Sequence, residues 1–479
     1  MKLNLPVYSY KSRNRSSTAR LINCFPELMP PGSKTPVLLT RAPGVKAWTT
    51  VGSGSIAGMY RANIQFATGA LDRLYVVSGR ELYSVDSAGA ATLLGDIGTP
   101  VRIDFAHNTD HLVIVNEPDA FYYDGTTLAQ ITDPDFTSRG AGDVEYLEGW
   151  LLFREPNSAR FFGADVSELN INGSVESYDS LNFAIADSNP DLLVGMRTDH
   201  RQLVCFGEDT TELFENTGVA GFPFERNING TMQVGLAGAD LVGRAFDVLY
   251  FVGDDLTVRR LDGNQPVKIS THYIEQKLEA WTIAGGRGFG YSQDGHFFVG
   301  FSFLEGTIIY DAITGEWHER ESYNYGRWRP RFMQRFADKV LAGDPETNAV
   351  VEIDRDTYSD SLLDLQSSST VQRMEWTYQP VYAEGQRAFH DRLEVVMETG
   401  VGLTTGTTNP VLQMQYSDDG GFTWRDLPSR SMGKIGKTET RVVWHNLGSA
   451  RQRVYKGAVS DPVRVTIVDT LLEVRGGRL

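Results

Sequence analysis

Cysteine is almost absent. Cys24 and Cys205 are the only two in 479 residues, too few and too far apart for a disulfide framework or a Cys-rich zinc site within one chain. No apolar run reaches the roughly 18 residues of a membrane-spanning helix, so no membrane insertion is expected. The opening Met1–Pro6 lacks the apolar stretch of a secretion signal, and the expectation is a chain made and assembled in a cytosol. Positive charge is also short: 45 Lys and Arg stand against 61 Asp and Glu, for a net charge of −16. Gripping a phosphate backbone needs dense Lys and Arg, so the chain is a poor candidate for a nucleic-acid clamp. Helix-period segments are scarce, and the best of them, residues 274–281, makes only about two turns.

What is present is strand-forming. Apolar residues make up 41% and charged residues 22%, which excludes a disordered polymer. The 48 Gly with 24 Phe, 20 Tyr and 8 Trp suit many short strands and turns. The length suits two or three domains.

Charge is unevenly spread. Residues 1–50 carry eight bases and one acid, residues 425–479 eleven bases and five acids, so the stretch 51–424 holds −29. An acidic body lies between two basic ends. Those ends either fold back on the body or meet an acidic partner.

Alternating apolar runs recur in pairs bounded by Gly, Asp and Asn: 74–77 with 81–85, 112–115 with 120–123, 150–153 with 159–162, 203–206 with 211–214, 248–252 with 256–260, 296–301 with 307–310, and 340–342 with 350–353. The second members repeat every 39–52 residues, the period of a four-stranded propeller blade. The expected fold is all-β: a basic N-terminal arm over 1–50, a β-propeller over 51–358, a linker over 359–370 and a β-sandwich over 371–479. Seven blades fit the count, and the uneven spacing leaves six or eight open. In the sandwich, strands are expected at 374–378, 392–397, 411–416, 438–444, 454–459 and 463–468.

Catalytic and metal motifs are missing. No nucleophile elbow, phosphate-binding loop or His-Glu-x-x-His is found. His318-Glu319 lacks its second histidine, and no helix follows the glycines of 286–290. Asp354, Asp356 and Asp360 lack the Gly and the bidentate Glu of a calcium loop. His107 and His111 flank a turn, and Asn172 and Asn229 read as turn residues. No catalytic, cofactor or metal site is therefore assigned, and no cofactor. One motif is complete: Ser417, Asp419, Gly421, Thr423 and Trp424 form an Asp box. Its Asp is expected to accept backbone N–H groups across a hairpin, with Trp packed beneath it.

The strings Gly433–Gly436, Arg441–Trp444, Leu447–Arg451, Asp461–Val465 and Met397–Gly402 resemble the packaged-DNA stabilisation protein family of short-tailed bacteriophages. So do Arg41–Gly44, Asp133–Phe136, Pro223–Arg226, Ser270–Glu275 and Trp317–Arg320. The resemblance covers nearly the whole chain, with Gln452 a departure where the family pattern has Asp. It implies a non-enzymatic virion protein, the tail hub or nozzle, assembled in the host cytoplasm as a homo-hexameric ring below the portal-adaptor protein. Such a ring retains packaged DNA, lets it pass at ejection without specific binding, and docks tail fibres or spikes and a plug. An acidic wall repels DNA, and Lys11, Arg13, Arg15 and Arg20 become candidate assembly contacts on the arm. Two other classes are weighed against this: a glycan-processing propeller enzyme, raised by the Asp box, and a receptor-binding tail fibre. The single box argues against the first. No shaft repeat supports the second.

Overall fold

The computed structural model describes residues 2–12, 17–165, 178–360, 371–383, 385–403 and 409–476. Seven meanders of four antiparallel strands succeed one another around a central axis. Their innermost strands, blades one to seven in order, are Ile56–Phe66, Ile103–His107, Val144–Leu147, Leu193–Asp199, Val242–Ala245, Arg287–Gln293 and Arg331–Phe336. Each apolar pair read in the sequence forms the second and third strands of one blade, as in Leu112–Asn116 with Asp119–Tyr123.

Period-2 geometry explains why these second strands are continuously apolar. Successive side chains point to opposite faces, and each face meets a different blade. Leu112 and Ile114 join a core with Ile64, Phe66 and Tyr75 of blade one. Val113 and Val115 join another with Val144, Leu151 and Phe153 of blade three. Strands buried on both faces have no polar side to show.

The same device ends many third strands. Asp86, Asp124, Asp311 and Asp354 each accept a backbone N–H from the residue two positions on. These are Asx turns that fix where the meander reverses.

The ring closes through a non-local strand. Gly44–Thr50 is the outermost strand of blade seven and runs antiparallel to Ala349–Asp354, with Ala349 opposite Thr50 and Asp354 opposite Gly44. The first fifty residues are thus not a separate arm. Thr18–Ile22, Cys24–Leu28 and Val37–Arg41 are strands of the sandwich. Six prolines and a charge of +7 in residues 1–50 argued for an arm. The fold places Pro26 in Cys24–Leu28, an edge strand of its sheet, where a missing N–H is tolerated.

One sandwich sheet orders Cys24–Leu28, Val37–Arg41, Thr466–Gly476, Ala388–Met397 and Val442–His445. The other orders Thr18–Ile22, Met374–Thr377, Gln452–Val459, Val411–Ser417 and Arg425–Ser431, and continues directly into blade six through Thr18–Ile22. Ile22 pairs in parallel with Glu319 at that junction. Leu21, Cys24 and Leu39 from the N-terminal strands share one core with Trp376, Trp444, Tyr455 and Leu472. Trp376 lies flat across Gly457 on the neighbouring strand, where a Cβ would come within 2.2 Å of the indole. Most of the expected linker, 361–370, lies outside the described residues.

The two helices among the described residues are Pro134–Thr137 and His272–Ala280. Neither is long and apolar enough to cross a membrane.

Candidate functional site

The centre of the propeller is polar at one end and open at the other. Arg102, Asp143 and Asp240 each sit just before the innermost strand of blades two, three and five, and Arg287 begins that of blade six. Arg102 donates to Asp143 Oδ1 at 2.5 Å, to Asp240 Oδ1 at 3.1 Å and to the carbonyl of Gly142 at 2.5 Å. Arg154 Nε donates to the other oxygen of Asp143 at 2.5 Å. Arg197 reaches Asp104 at 3.1 Å and Asp143 at 3.3 Å, and Arg287 stands 3.5 Å from Asp240. A Cβ at Gly142 would fall 2.0 Å from Arg154 Nη2, so a larger residue there has to displace the guanidinium that holds Asp143.

These ion pairs cross from blade to blade, and Asp104, Arg197 and Arg287 among them line the central cavity. Asp143 is fully buried. Burial alone would raise its pKa, but Arg102, Arg154 and Arg197 outweigh that and hold the carboxyl well below the usual carboxylate range. A carboxylate with three guanidinium partners stays ionised even in a dry site.

The cavity is a cup of about 830 Å³. Its wall includes Tyr60, Asp104, Phe105, His107, Asn108 and Glu145. Exposure rises towards the rim, where Asn63, Gln65, Thr109 and Arg244 face solvent. Tyr60 stacks on Phe105, ring centroids 5.6 Å apart, and its hydroxyl lies 2.8 Å from His107 Nδ1. Burial pushes the Glu145 carboxyl up to about 7, with Asp104 adding to it and Arg197 opposing. Burial also raises Asp104 and the Tyr60 phenol, the latter with help from Glu145 and Asp104. All three groups resist acquiring negative charge, chiefly because burial disfavours the charged form.

No sequence motif marks this cluster. Its signal was positional: Asp143 follows Arg102 by 41 residues and Arg287 follows Asp240 by 47, close to one blade repeat. A charged residue at the same place in successive repeats, beside an apolar strand, points at the axis of a ring.

The Asp box sits at the tip of the hairpin joining Val411–Ser417 to Arg425–Ser431 in the sandwich. Asp419 Oδ1 accepts from the amides of Phe422 and Thr423 at 2.8 and 3.0 Å, and its Oδ2 accepts from the Thr423 hydroxyl at 2.6 Å. Ser417 Oγ donates to Asp419 at 2.6 Å and accepts from the Gly421 amide at 2.7 Å. The donors, led by Ser417 and Thr423, hold the Asp419 carboxyl below the usual range. Trp424 is half-buried, with Lys456 Nζ 4.6 Å from its ring centre. The neighbouring Asp418 pairs with buried Arg453 at 2.6 Å.

Of the basic residues singled out on the N-terminal stretch, Arg13 and Arg15 lie outside the described residues. Lys11 is in the short strand Tyr10–Lys11, opposite Thr18. Arg20 is engaged inside the chain: it donates to Glu319 through Nη2 at 2.7 Å and Nε at 3.1 Å. The structure brings neither Lys11 nor Arg20 to the Asp box or the cup.

Comparison with known proteins places these features. The chain matches a family model described as bacteriophage P22 Gp10, beta-propeller, over residues 8–358. It matches a second, bacteriophage P22 Gp10, beta-sandwich, over residues 374–475. It is 26% identical over 265 residues to the tail hub protein gp10 of Salmonella phage P22, an alignment covering 52% of this chain and 54% of that one. The match therefore spans about half the length of that relative. Among solved structures, a virginiamycin B lyase from Staphylococcus aureus shares 8% identity at a TM-score of 0.42, covering 66% of this chain and 98% of that one. The computationally designed Ika8 protein shares 9% at 0.37, covering 64% and 100%. With family models matched in order across both domains, the chain belongs to the bacteriophage P22 Gp10 family.

Proposed function

We propose that this chain forms the tail hub ring of a short-tailed phage. Six copies attach below the portal-adaptor protein after assembly in the host cytoplasm, narrow the DNA exit, and dock fibres or spikes and a plug. The observation that carries this reading is the family match across propeller and sandwich together.

Physical features support it. Ion pairs between Arg102 of blade two, Asp143 of blade three and Asp240 of blade five cross the propeller axis, so the reading has DNA travel between subunits along the ring axis and not through any one propeller. A body carrying −29 over 51–424 repels a phosphate backbone, so the genome slides without being held. The sheet that runs from blade six into the sandwich gives each subunit a stiff joint suited to a load-bearing ring.

The test is DNA retention. Filled heads carrying portal and adaptor are incubated with or without the purified protein, and released genome is measured by nuclease sensitivity. The reading expects the protein to lower release severalfold. Equal release with and without it overturns the retention role.

A further inference from the structure

The Asp-box hairpin holds an aromatic ring out into solvent. Phe422, at its tip, is 71% exposed. Asp419 fixes the Phe422 amide, and Gly420 and Gly421 before it take φ of 76° and 92°, so the turn has little freedom to fold the ring away. Tyr382, 65% exposed, and the exposed Phe389 lie at the same end of the sandwich. Tyr382 stands opposite Gln452 and Phe389 opposite Ser449, so the segment 449–452 joins them. The box is tied to that segment as well: Asp418 pairs with Arg453, whose Nη1 donates to the carbonyl of Leu447 at 2.5 Å. Apolar residues scattered singly on a surface need no explanation, but three exposed rings at one end of a domain mark a contact surface.

The charge at this end is positive and unspent. Arg387 and Arg451 are exposed. Among the described residues neither has a carboxylate within ion-pair distance, and Arg387 reaches only the Ser449 hydroxyl, at 3.3 Å. The acids beside them are used: Asp418 by Arg453, Asp419 by the turn and Asp391 by Arg475. Aromatic rings with arginine are the side chains that anchor protein contacts.

The counterpart is on the propeller. In blade six the turn joining His296–Ser302 to Thr307–Asp311 carries Leu304, 69% exposed, and the exposed Glu305. The connection from blade six to blade seven adds the exposed Tyr323 and Tyr325, and the turn before Ala349–Asp354 adds the exposed Glu346. These segments adjoin. The Tyr325 hydroxyl donates to Glu346, and a Cβ at Gly326 would stand 3.6 Å from the Glu305 carbonyl. Glu305 Oε1 accepts from the Thr282 amide and hydroxyl at 3.1 and 2.7 Å, and among the described residues no base pairs with this carboxylate. Glu346 has Arg327 at 3.3 Å. An apolar rim with carboxylates thus matches an aromatic end with free guanidinium groups. Both patches stay exposed, so neither covers the other within one chain.

We propose that the Asp-box end of the sandwich docks on the blade-six to blade-seven rim of a second copy, and that this contact repeats around the ring proposed above, on which the inference rests. Phe422 and Tyr382 pack against Leu304 and Tyr323, while Arg387 and Arg451 face Glu305 and Glu346. Each copy offers one patch of each kind, so the contact is head-to-tail and runs from copy to copy until the ring closes. Complementary charge fixes which patches meet.

The test is a charge swap. The full chain is added to portal-adaptor particles, and copies per particle are counted by native mass measurement. One variant carries Arg387→Glu with Arg451→Glu, a second Glu305→Lys with Glu346→Lys, and a third all four changes. Each two-site variant is expected to lower the yield of complete rings at least fivefold, and the four-site variant to restore it to within about twofold of the unaltered chain. Phe422→Ala should lower it severalfold. All should keep the melting temperature of the unaltered chain, because the altered side chains are exposed. Complete rings at normal yield from either two-site variant overturn the contact and leave the ring itself standing. Loss in both without rescue in the four-site variant overturns the pairing of these two patches. An unaltered chain that binds only as isolated copies overturns the contact and the ring together.

Discussion

Arg102 and Asp240 meet across the axis of the propeller, 3.1 Å apart, although one precedes blade two and the other blade five. No sequence-local rule brings them together. Only closure of the seven-bladed ring does, and the pair in turn joins opposite sides of that ring. Asp143 completes the bridge from blade three.

Arg102→Ala should therefore destabilise strongly. It leaves Asp143 and Asp240 with one fewer partner in a dry site, and breaking a buried ion pair on one side costs about 3–5 kcal/mol. The exposed pair Arg80–Asp96 is the control. Arg80→Ala should change stability by about 0–1 kcal/mol. Urea unfolding of the two variants checks both values, and equal small losses would mean that the axial network is ornamental.

Arg20 should matter to the joint between domains. It shares the Glu319 carboxylate with Lys277 at 3.1 Å and the Tyr273 hydroxyl at 3.0 Å. Because the Arg20 side chain is 37% exposed, solvent screening trims its worth. Arg20→Ala should cost about 1–2 kcal/mol, below the about 1.5–3 kcal/mol of well-buried charged hydrogen bonds. Deleting residues 1–41 removes three sandwich strands and should prevent the sandwich from folding at all. Limited proteolysis distinguishes the two, with the truncated chain expected to lose residues 374–476 first.

Much of the fold was legible because blades are local. Hairpins such as Leu112–Asn116 with Asp119–Tyr123 carry their own pattern and turn chemistry. What could not be read was non-local pairing. Gly44–Thr50 finds Ala349–Asp354 some three hundred residues later, and Thr18–Ile22 slots between blade six and Met374–Thr377. Prolines and basic residues in this stretch looked like an arm because their partners lay elsewhere in the chain. Arg425–Ser431 escaped for another reason. It is an edge strand with mostly exposed residues, so it lacks the apolar alternation that betrays a strand. The axial charges carried no spacing of their own beyond the blade repeat.

Acid and neutral pH should act in opposite senses on two neighbouring glutamates. Burial raises Glu316 from 4.5 to about 7. The folded chain thus holds a proton that the unfolded chain has released. The stability from this group is complete below pH 4.5 and falls as pH rises towards 7. For Glu319, burial opposes ionisation but Arg20 and Lys277 prevail, lowering it from 4.5 to about 2. Its contribution is present above pH 4.5 and is lost as pH falls towards 2. Glu316→Gln should make the melting temperature fall less between pH 5 and pH 8 than it does in the unaltered chain. An identical pH profile would show that Glu316 titrates normally.

The Asp box should govern a local opening and not global stability, because Asp419 is exposed at a hairpin tip. Asp419→Ala removes the acceptor for the amides of Phe422 and Thr423. Those amides should exchange with solvent severalfold faster while the global melt shifts little. Trp424→Ala should cost about 0.5–1 kcal/mol from the lost Lys456 contact, with some apolar burial added. Full core truncation of an aromatic, about 3–5 kcal/mol, is not expected for a half-buried ring. Unchanged exchange in Asp419→Ala would remove the capping role.

The hub assignment meets its most direct test in stoichiometry. Native mass measurement of the chain bound to the portal-adaptor assembly should give six copies per ring. The bound fraction should fall as salt rises, since basic ends on an acidic body make the contact electrostatic. A triple change of Lys11, Arg13 and Arg15 to Glu should leave the chain folded and reduce binding. Three copies per particle, or a chain that never joins the adaptor at any salt concentration, would contradict the account.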